Sequence, residues 1–152
     1  MIEDDFDSEY RFESRPIASL QGLDTDARVI YVGTFSKVLF PALRTGYLVV
    51  PPDLLERFIA VRQTIDVTQS DLIQSVLAEF IDEGHFVRHI RRMRSLYGER
   101  RAVLETSLRK AFGDELEILG AQSGMHLTVK LPKGMRDRDI AGRAAARNVW
   151  VW

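Results

Sequence analysis

The 152-residue sequence contains no cysteine, which excludes a disulfide framework and any metal site built on thiolates. It also lacks an excess of charge of one sign. The net charge is -1 at pH 7, so no global field draws the chain to nucleic acid or to an anionic membrane. No apolar run is long enough to span a bilayer, and the start, Met-Ile-Glu-Asp-Asp, is acidic where a signal peptide is basic. These absences predict a soluble, cytoplasmic protein.

Several common motifs of catalytic and binding sites are missing as well. The sequence has no Gly-x-x-x-x-Gly-Lys-Ser/Thr loop, no Gly-x-Gly-x-x-Gly and no Gly-x-Ser-x-Gly. His85 and His89 stand four residues apart, a spacing that can grip a metal on a helix, but no third ligand is placed nearby. We therefore expect no metal site, and we interpret both histidines as surface residues.

The residues that are present are enough for one domain with a core, since 45% of them are hydrophobic. Short apolar runs predict strands at residues 28–33 and 46–50. Pro51 and Pro52 then open a helix, and a second helix begins near Thr68 and ends at Gly84. A long helix over 85–112 follows, with its apolar residues near a 3.6 period.

Beyond the long helix, the pattern predicts strands at 116–119 and 125–131 and a helix at 137–147. The last run, 148–152, has β propensity. It is either a short terminal strand or a sign that the chain is a piece of a longer protein. The composition changes near 113–115, which predicts a domain boundary with the long helix as the bridge. We expect three parts: 1–84, 85–113 and 114–152.

Lys37 is the first candidate for chemistry, because it follows a buried-looking strand and a glycine. Thr34, Ser36 and Arg44 surround it in the sequence. Hydroxyls and a bidentate arginine can hold a phosphate, and a lysine in a semi-apolar site is competent for Schiff-base chemistry. On spacing alone, an ordinary surface lysine in a turn is the simpler interpretation.

The acidic opening, residues 3–9, is the second candidate. It is either a solvated acidic turn or the source of a carboxylate that pairs with the protonated nitrogen of a pyridine cofactor.

The long helix is rich in arginine, a composition that is typical of nucleic-acid binding. This positive charge is partly neutralised by three acidic residues, Glu83, Glu99 and Glu105. The apolar stripe implies that one side of the helix packs against the protein. A solvated face is the favoured interpretation. The basic residues concerned are Arg88, His89, Arg91, Arg92, Arg94, Arg100 and Arg101.

Two long motifs resemble a known family. Residues 2–12 (IEDDFDSEYRF) and 29–47 (VIYVGTFSKVLFPALRTGY) are similar to fold-type I aminotransferases. More narrowly, they resemble the aminotransferase-like domain of MocR-type transcriptional regulators, a branch of the GntR family. Residues 124–127 (GMHL) are similar to the family's small domain. The resemblance implies an α/β fragment of the aspartate aminotransferase-like fold, with part of a mostly parallel large-domain sheet, a bridging helix and part of a small α+β domain.

The same resemblance implies a cofactor, pyridoxal 5'-phosphate, and a role for each matching residue. Lys37 would bind the cofactor through a Schiff base and would be the catalytic residue if the domain is active. Asp4 would pair with the pyridine nitrogen. The phosphate would be held by Thr34, Ser36 and Arg44. The family usually has a tyrosine where this sequence has Phe6, and a phenyl ring cannot supply the tyrosine's hydrogen bond to the cofactor.

The resemblance also implies partners. Residues 1–84 would be the C-terminal part of the cofactor-binding large domain, and 114–152 part of the small domain. A small amino compound would be the effector or substrate. DNA would be bound only through a winged helix outside these residues, and the protein would be a homodimer without a membrane partner. Two alternatives remain: a piece of a metabolic class I/II aminotransferase, and a degenerate fragment that no longer binds cofactor.

Overall fold

The larger of two sheets carries the N-terminal part of the molecule. The computed structural model describes residues 1–13, 17–65, 71–120 and 122–151. Strands β1 (Ile2–Asp5), β2 (Ile30–Thr34) and β3 (Gly46–Val49) lie in the order β1-β2-β3. β1 and β2 are parallel, whereas β3 runs antiparallel to β2. The expected α/β class is confirmed, and its sheet portion contains one parallel and one antiparallel pair, a common arrangement at a sheet edge.

Six α-helices are described, and the fifth is the longest. They are α1 (Leu20–Leu23), α2 (Phe35–Val38), α3 (Leu55–Ile65), α4 (Asp71–Asp82), α5 (His85–Phe112) and α6 (Asp137–Ala145). No helix in these described stretches is both long and apolar enough to cross a membrane.

Pro52 and Gly84 stand at helix boundaries, as the sequence pattern predicted. Pro52 starts a single 3-10 turn that leads into α3, where proline costs no hydrogen bond. Gly84 separates α4 from α5 with a φ of 73°, a left-handed conformation that favours glycine. The predicted long helix is confirmed over residues 85–112. The predicted cap at Thr68 lies outside the described residues.

The second sheet is smaller than the sequence pattern predicted. β4 (Glu117–Leu119) and β5 (Thr128–Lys130) form an antiparallel pair. The stretch from Met125 to Leu127 was expected to continue β5. It does not, because the backbone N–H groups of Gly124 and Met125 donate instead to Tyr10 and Asp7. A terminal strand, one of the two interpretations of residues 148–152, is likewise absent at 149–151, and Trp152 lies outside the described residues.

The core forms where α5 packs against α2 and the segment after β1. Tyr10, Val38 and Ile90 are its buried residues. The partly buried side chains packed against them are Phe12, Phe35, Leu39, Phe86, Met93, Tyr97 and Met125. Only the first half of the α5 stripe takes part in this packing, since Leu104 and Phe112 are exposed.

Tyr10 is the one large side chain that is fully buried among the described residues. Its hydroxyl donates to the carbonyl oxygen of Val38 at 3.1 Å, and its ring meets Tyr97 edge to face at 5.1 Å. Burial raises the pKa of its phenol to about 12, so the hydroxyl stays a donor. Tyr10 thereby joins the segment after β1 to both α2 and α5.

We expect two substitutions of Tyr10 to distinguish the contribution of its hydrogen bond from that of its ring. Tyr10→Phe removes one hydrogen bond and should lower the free energy of unfolding by about 1 kcal/mol. Tyr10→Ala also removes the ring and should cost about 3–5 kcal/mol. Urea unfolding followed by circular dichroism measures both, and equal losses for the two variants would contradict the ring's place in the core.

Gly33 in β2 permits the close approach of β3. A Cβ atom built on Gly33 would overlap the ring of Tyr47, which lies opposite it across the strand pair. We expect Gly33→Ala to lower the free energy of unfolding by about 1–3 kcal/mol, since the Tyr47 ring would have to move away from Phe35. Gly142→Ala is the matched control.

A Cβ atom at Gly142 in α6 meets nothing within 4 Å. Alanine there should raise the free energy of unfolding by up to about 1 kcal/mol through helix propensity. If both glycine variants shift urea unfolding in the same direction, the close packing of Gly33 against Tyr47 is wrong.

Candidate active site

The candidate residues gather where two parallel strands end. Asp4 in β1 lies opposite Val32 in β2, and Thr34 ends β2 two residues later. Because successive side chains of a strand point to opposite faces, Asp4, Val32 and Thr34 share one face of the sheet. The carboxyl ends of neighbouring parallel strands are where α/β sheets bind ligands.

Thr34 also starts the short helix α2, which carries the next two candidates. Its Oγ1 accepts a hydrogen bond from the N–H of Ser36 at 3.2 Å, and Ser36 is buried. Threonine is a good helix cap for this reason. The capping bond uses Thr34 as an acceptor, so its own hydroxyl proton remains available to donate to a ligand. Lys37 follows directly in α2.

Arg44 is brought to α2 by the turn before β3. The N–H of Phe35 donates to the carbonyl oxygen of Thr45 at 3.0 Å, and the Thr45 hydroxyl donates to Leu43 at 2.9 Å. Arg44 itself has a left-handed backbone, with a φ of 48°. A non-glycine residue in this conformation is uncommon and is found most often at functional sites and tight turns.

The side chains of Asp4, Lys37 and Arg44 have no hydrogen-bond or ion-pair partner within the described ranges. All three side chains are exposed, and none of them forms a hydrogen bond or an ion pair there. Lys37 does contact an aromatic ring, because its Nζ lies 4.7 Å from the ring centre of Phe6. The semi-apolar setting expected for Lys37 is therefore limited to one ring.

Asp5, the neighbour of Asp4, has a structural role. Its carboxylate accepts hydrogen bonds from the backbone N–H and the hydroxyl of Ser8 and from the hydroxyl of Tyr31. Desolvation raises the pKa of Asp5, but these hydrogen bonds outweigh it and hold the pKa below its ordinary value of 3.8. Burial raises the pKa of Tyr31, so its phenol remains the donor.

Hydrogen bonds join the segment after β1 to α5 and to the residues between β4 and β5. Arg94 donates from two of its nitrogens to the carbonyl oxygen of Glu9. The N–H of Gly124 donates to Tyr10 at 2.7 Å, and the N–H of Phe12 donates to Gln122 at 3.1 Å. These bonds join residues more than 80 positions apart in the sequence, so no local pattern could reveal them.

The histidines and the basic helix differ in part from the sequence predictions. His85 lies at the surface, beside Glu83, as predicted. His89 is half-buried and donates to the carbonyl oxygen of Val38 at 2.9 Å, so its assignment to the surface was wrong. Arg88, Arg91, Arg92 and Arg100 are exposed, which confirms the solvated face at those positions. Arg101 instead pairs with Glu13 and lies over Phe12.

A groove of about 830 Å³ lies beside this cluster. It is lined by Val32, Arg44 and Leu48 and by apolar side chains of α3. Asp4, Thr34 and Lys37 do not line it, so Arg44 is the only candidate residue that the groove and the cluster share.

The order of the motifs and this geometry agree with a known protein family. The family described as "Aminotransferase class I and II" matches residues 6–150. The chain belongs to this aminotransferase family. It resembles curated transcriptional regulators of the MocR type as well, which confirms the resemblance inferred from residues 2–12 and 29–47.

Two such regulators illustrate the likeness. The chain is 46% identical over 145 residues to the probable rhizopine catabolism regulatory protein MocR of Rhizobium meliloti, covering 95% of this chain and 29% of that protein. It is 48% identical over 152 residues to the uncharacterized HTH-type transcriptional regulator YhdI of Bacillus subtilis, covering 100% of this chain and 32% of that protein. The chain thus spans less than a third of the length of these relatives.

Solved aminotransferase structures share the fold. The multiple substrate aminotransferase from Thermococcus profundus matches with a TM-score of 0.86 and 30% identity, over 98% of this chain and 37% of that one. LysN, the alpha-aminoadipate aminotransferase from Thermus thermophilus, was solved with N-(5'-phosphopyridoxyl)-L-leucine. It matches with a TM-score of 0.85 and 32% identity, over 98% of this chain and 39% of that one. These similarities confirm the aminotransferase fold class.

The hydrogen bonds of Asp5 predict a dependence of stability on pH. A carboxyl group whose folded pKa lies below 3.8 contributes stability above that pH and loses it as the pH falls through the folded pKa. Asp5→Asn should therefore lower the free energy of unfolding at neutral pH, by about 1 kcal/mol. The loss should shrink below pH 3.8.

Asp26→Asn is the matched control, since this exposed acid accepts no hydrogen bond within the described ranges. It should leave the unfolding free energy unchanged at both pH values. An Asp5→Asn loss that stays constant with pH would show that the carboxylate's charge has no part in the contact.

Proposed function

We propose that this chain is the pyridoxal-phosphate-binding, aminotransferase-like part of a MocR-type transcriptional regulator. The observation that carries the proposal is the placement of Asp4, Lys37 and Arg44 around the ends of β1 and β2 without hydrogen-bond or ion-pair partners in the described ranges. One carboxylate, one amine and one guanidinium match the three polar parts of the cofactor: its ring nitrogen, its carbonyl group and its phosphate.

Each residue has a role that follows from its donors and charge. Lys37 would hold the cofactor through its amine, which can condense with the carbonyl group and release water. Asp4 would pair with the ring nitrogen and favour its protonated form. Arg44 offers a fork of N–H donors to the phosphate, and the hydroxyls of Thr34 and Ser36 donate to it. The capping bond of Thr34 fixes α2, so these hydroxyls and Lys37 are held in one place.

When bound, pyridoxal phosphate supplies a carbonyl that condenses with amines and a ring that withdraws electrons. In a regulator, the amine of a small amino compound would compete with Lys37 for the cofactor. A Lys37 side chain released in this way would pack differently against its neighbours. Packed elements are bistable, so such a local change can switch an attached domain.

The regulator would act through DNA, which a winged helix outside these residues binds. The protein would work in the cytoplasm as a homodimer, with a small amino compound as its effector. Similarity to curated regulators at 46% and 48% identity supports this interpretation.

A metabolic aminotransferase is the second candidate, and likeness to solved aminotransferases at 30% and 32% identity favours it. In that case Lys37 also moves the proton of the substrate's α-carbon. Conversion of an amino acid to its keto acid, measured on the longest natural form of the protein with the cofactor, separates the two functions. Turnover favours the enzyme, and ligand-dependent DNA binding without turnover favours the regulator.

The cofactor role of Lys37 can be tested on this chain. We expect pyridoxal phosphate to produce a visible absorption band, and borohydride reduction to fix the cofactor on Lys37. Lys37→Ala should abolish the band, since this cluster has no other amine to form the covalent bond. Peptide mass spectrometry maps the modified lysine.

Lys133→Ala serves as the control, because Lys133 lies in the turn before α6, outside the elements that carry the candidate residues. This variant should keep the band and the labelling of Lys37. Labelling spread evenly over the four lysines at 37, 110, 130 and 133 would contradict specific cofactor binding by the chain.

A further inference from the structure

Phe6 stands between two groups that come from distant parts of the sequence. On one side, the Nζ of Lys37 lies 4.7 Å from the centre of the Phe6 ring. On the other, the imidazole of His126 lies 5.9 Å from it, centre to centre, at an angle of 34°. An ammonium within about 6 Å of an aromatic ring is attracted by the ring's quadrupole. The phenyl ring is thus a contact for the lysine and a packing partner for the histidine.

The contact of Lys37 with Phe6 follows from the parallel strand pair. Phe6 comes directly after β1, and Lys37 lies three residues beyond the end of β2. Since β1 and β2 are parallel, with Asp5 opposite Gly33, both residues leave the sheet at the same end. The topology of the sheet therefore brings these two side chains together.

The two carboxylates that flank Phe6 in the sequence, Asp5 and Asp7, have hydrogen-bond partners of their own. The oxygens of Asp5 accept from Ser8 and Tyr31, and Oδ2 of Asp7 accepts from the N–H of Met125 at 2.9 Å. Lys37 forms no ion pair in the described parts of the chain. The Phe6 ring is accordingly the contact that the structure gives to its ammonium.

His126 is held against the ring by its backbone neighbours. Met125 donates to Asp7, and Gly124 donates to Tyr10 at 2.7 Å. A Cβ atom at Gly124 would lie 3.0 Å from Asp7 Oδ2, so the two segments are in close contact. Phe6 and His126 each adjoin a residue of the Asp7–Met125 bond, which fixes the distance between their rings.

We propose that Phe6 positions the ammonium group of Lys37 through a cation–π contact, and that His126 positions the Phe6 ring. Both are positioning residues, acting through Lys37. The phenyl ring thus has a function of its own next to Lys37. The importance of Lys37 rests on the proposed function, whereas the contact itself exists without cofactor and can be tested in its absence.

The test is the reactivity of Lys37 in the cofactor-free chain at neutral pH. Trace labelling with acetic anhydride modifies neutral amines, and peptide mass spectrometry gives the labelling rate of Lys37 relative to Lys133. The ring holds the amine at its face, and loss of this contact leaves the amine more accessible to the reagent. Phe6→Leu should therefore raise this ratio by about two- to fivefold, the range expected of an exposed cation–π contact. Phe6→Tyr keeps a ring and should leave the ratio unchanged.

The matched control is Phe40→Leu, since Phe40 is also exposed and also lies close to Lys37 in the sequence, but makes no ring contact with it among the described residues. This variant should not change the ratio. An unchanged ratio in Phe6→Leu, or an equal rise in Phe40→Leu, overturns the contact. Circular dichroism of each variant identifies a loss of fold, which would raise the labelling of all lysines.

His126 is tested by a pair of variants. His126→Ala removes the packing partner of the ring and should raise the ratio, while His126→Phe keeps an aromatic partner and should not. A purely structural role would change the melting temperature without changing the ratio. If both His126 variants raise the ratio equally, His126 does not position the ring. Failure of cofactor binding with these ratios intact would contradict only the proposed function.

Discussion

The burial of Tyr10 holds the parts of this molecule together. Its hydroxyl donates to Val38 at the end of α2, and its ring packs on Tyr97 of α5. Its carbonyl oxygen accepts from Gly124, next to the small sheet. One residue thus joins three regions that are far apart in the sequence, and a fully buried side chain with its polar atom satisfied tolerates little movement.

The site depends on this junction, because α2 carries Lys37 and ends at Val38. Val38 accepts hydrogen bonds from both Tyr10 and His89, so α2 is fixed at its end as well as at its Thr34 cap. A four-residue helix has little stability of its own. These tertiary bonds therefore replace helix propensity as the reason that Lys37 occupies a defined place above the ends of β1 and β2.

Local patterns predicted much of the fold and less of the site. Apolar periodicity and the flanking Gly84 predicted α5 correctly, because these signals lie within the helix itself. The strand at 125–131 was predicted too long, since long-range bonds to Asp7 and Tyr10 take Met125 out of the ladder. Tyr10 and His126 were missed as organising residues. An isolated tyrosine in an acidic segment carries no signal of burial, and His126 contacts Phe6, which is far from it in the sequence. The assignments of Asp4, Thr34, Ser36, Lys37 and Arg44 came from resemblance to a family, and their roles remain predictions.

We propose that Lys37, Asp4 and Arg44 form one cofactor site. Diffraction from crystals grown with pyridoxal phosphate tests this most directly. We expect electron density continuous with Nζ of Lys37, with the phosphate beside Arg44 and the ring nitrogen beside Asp4. Density joined to a different lysine, or a phosphate bound away from Arg44, would contradict it.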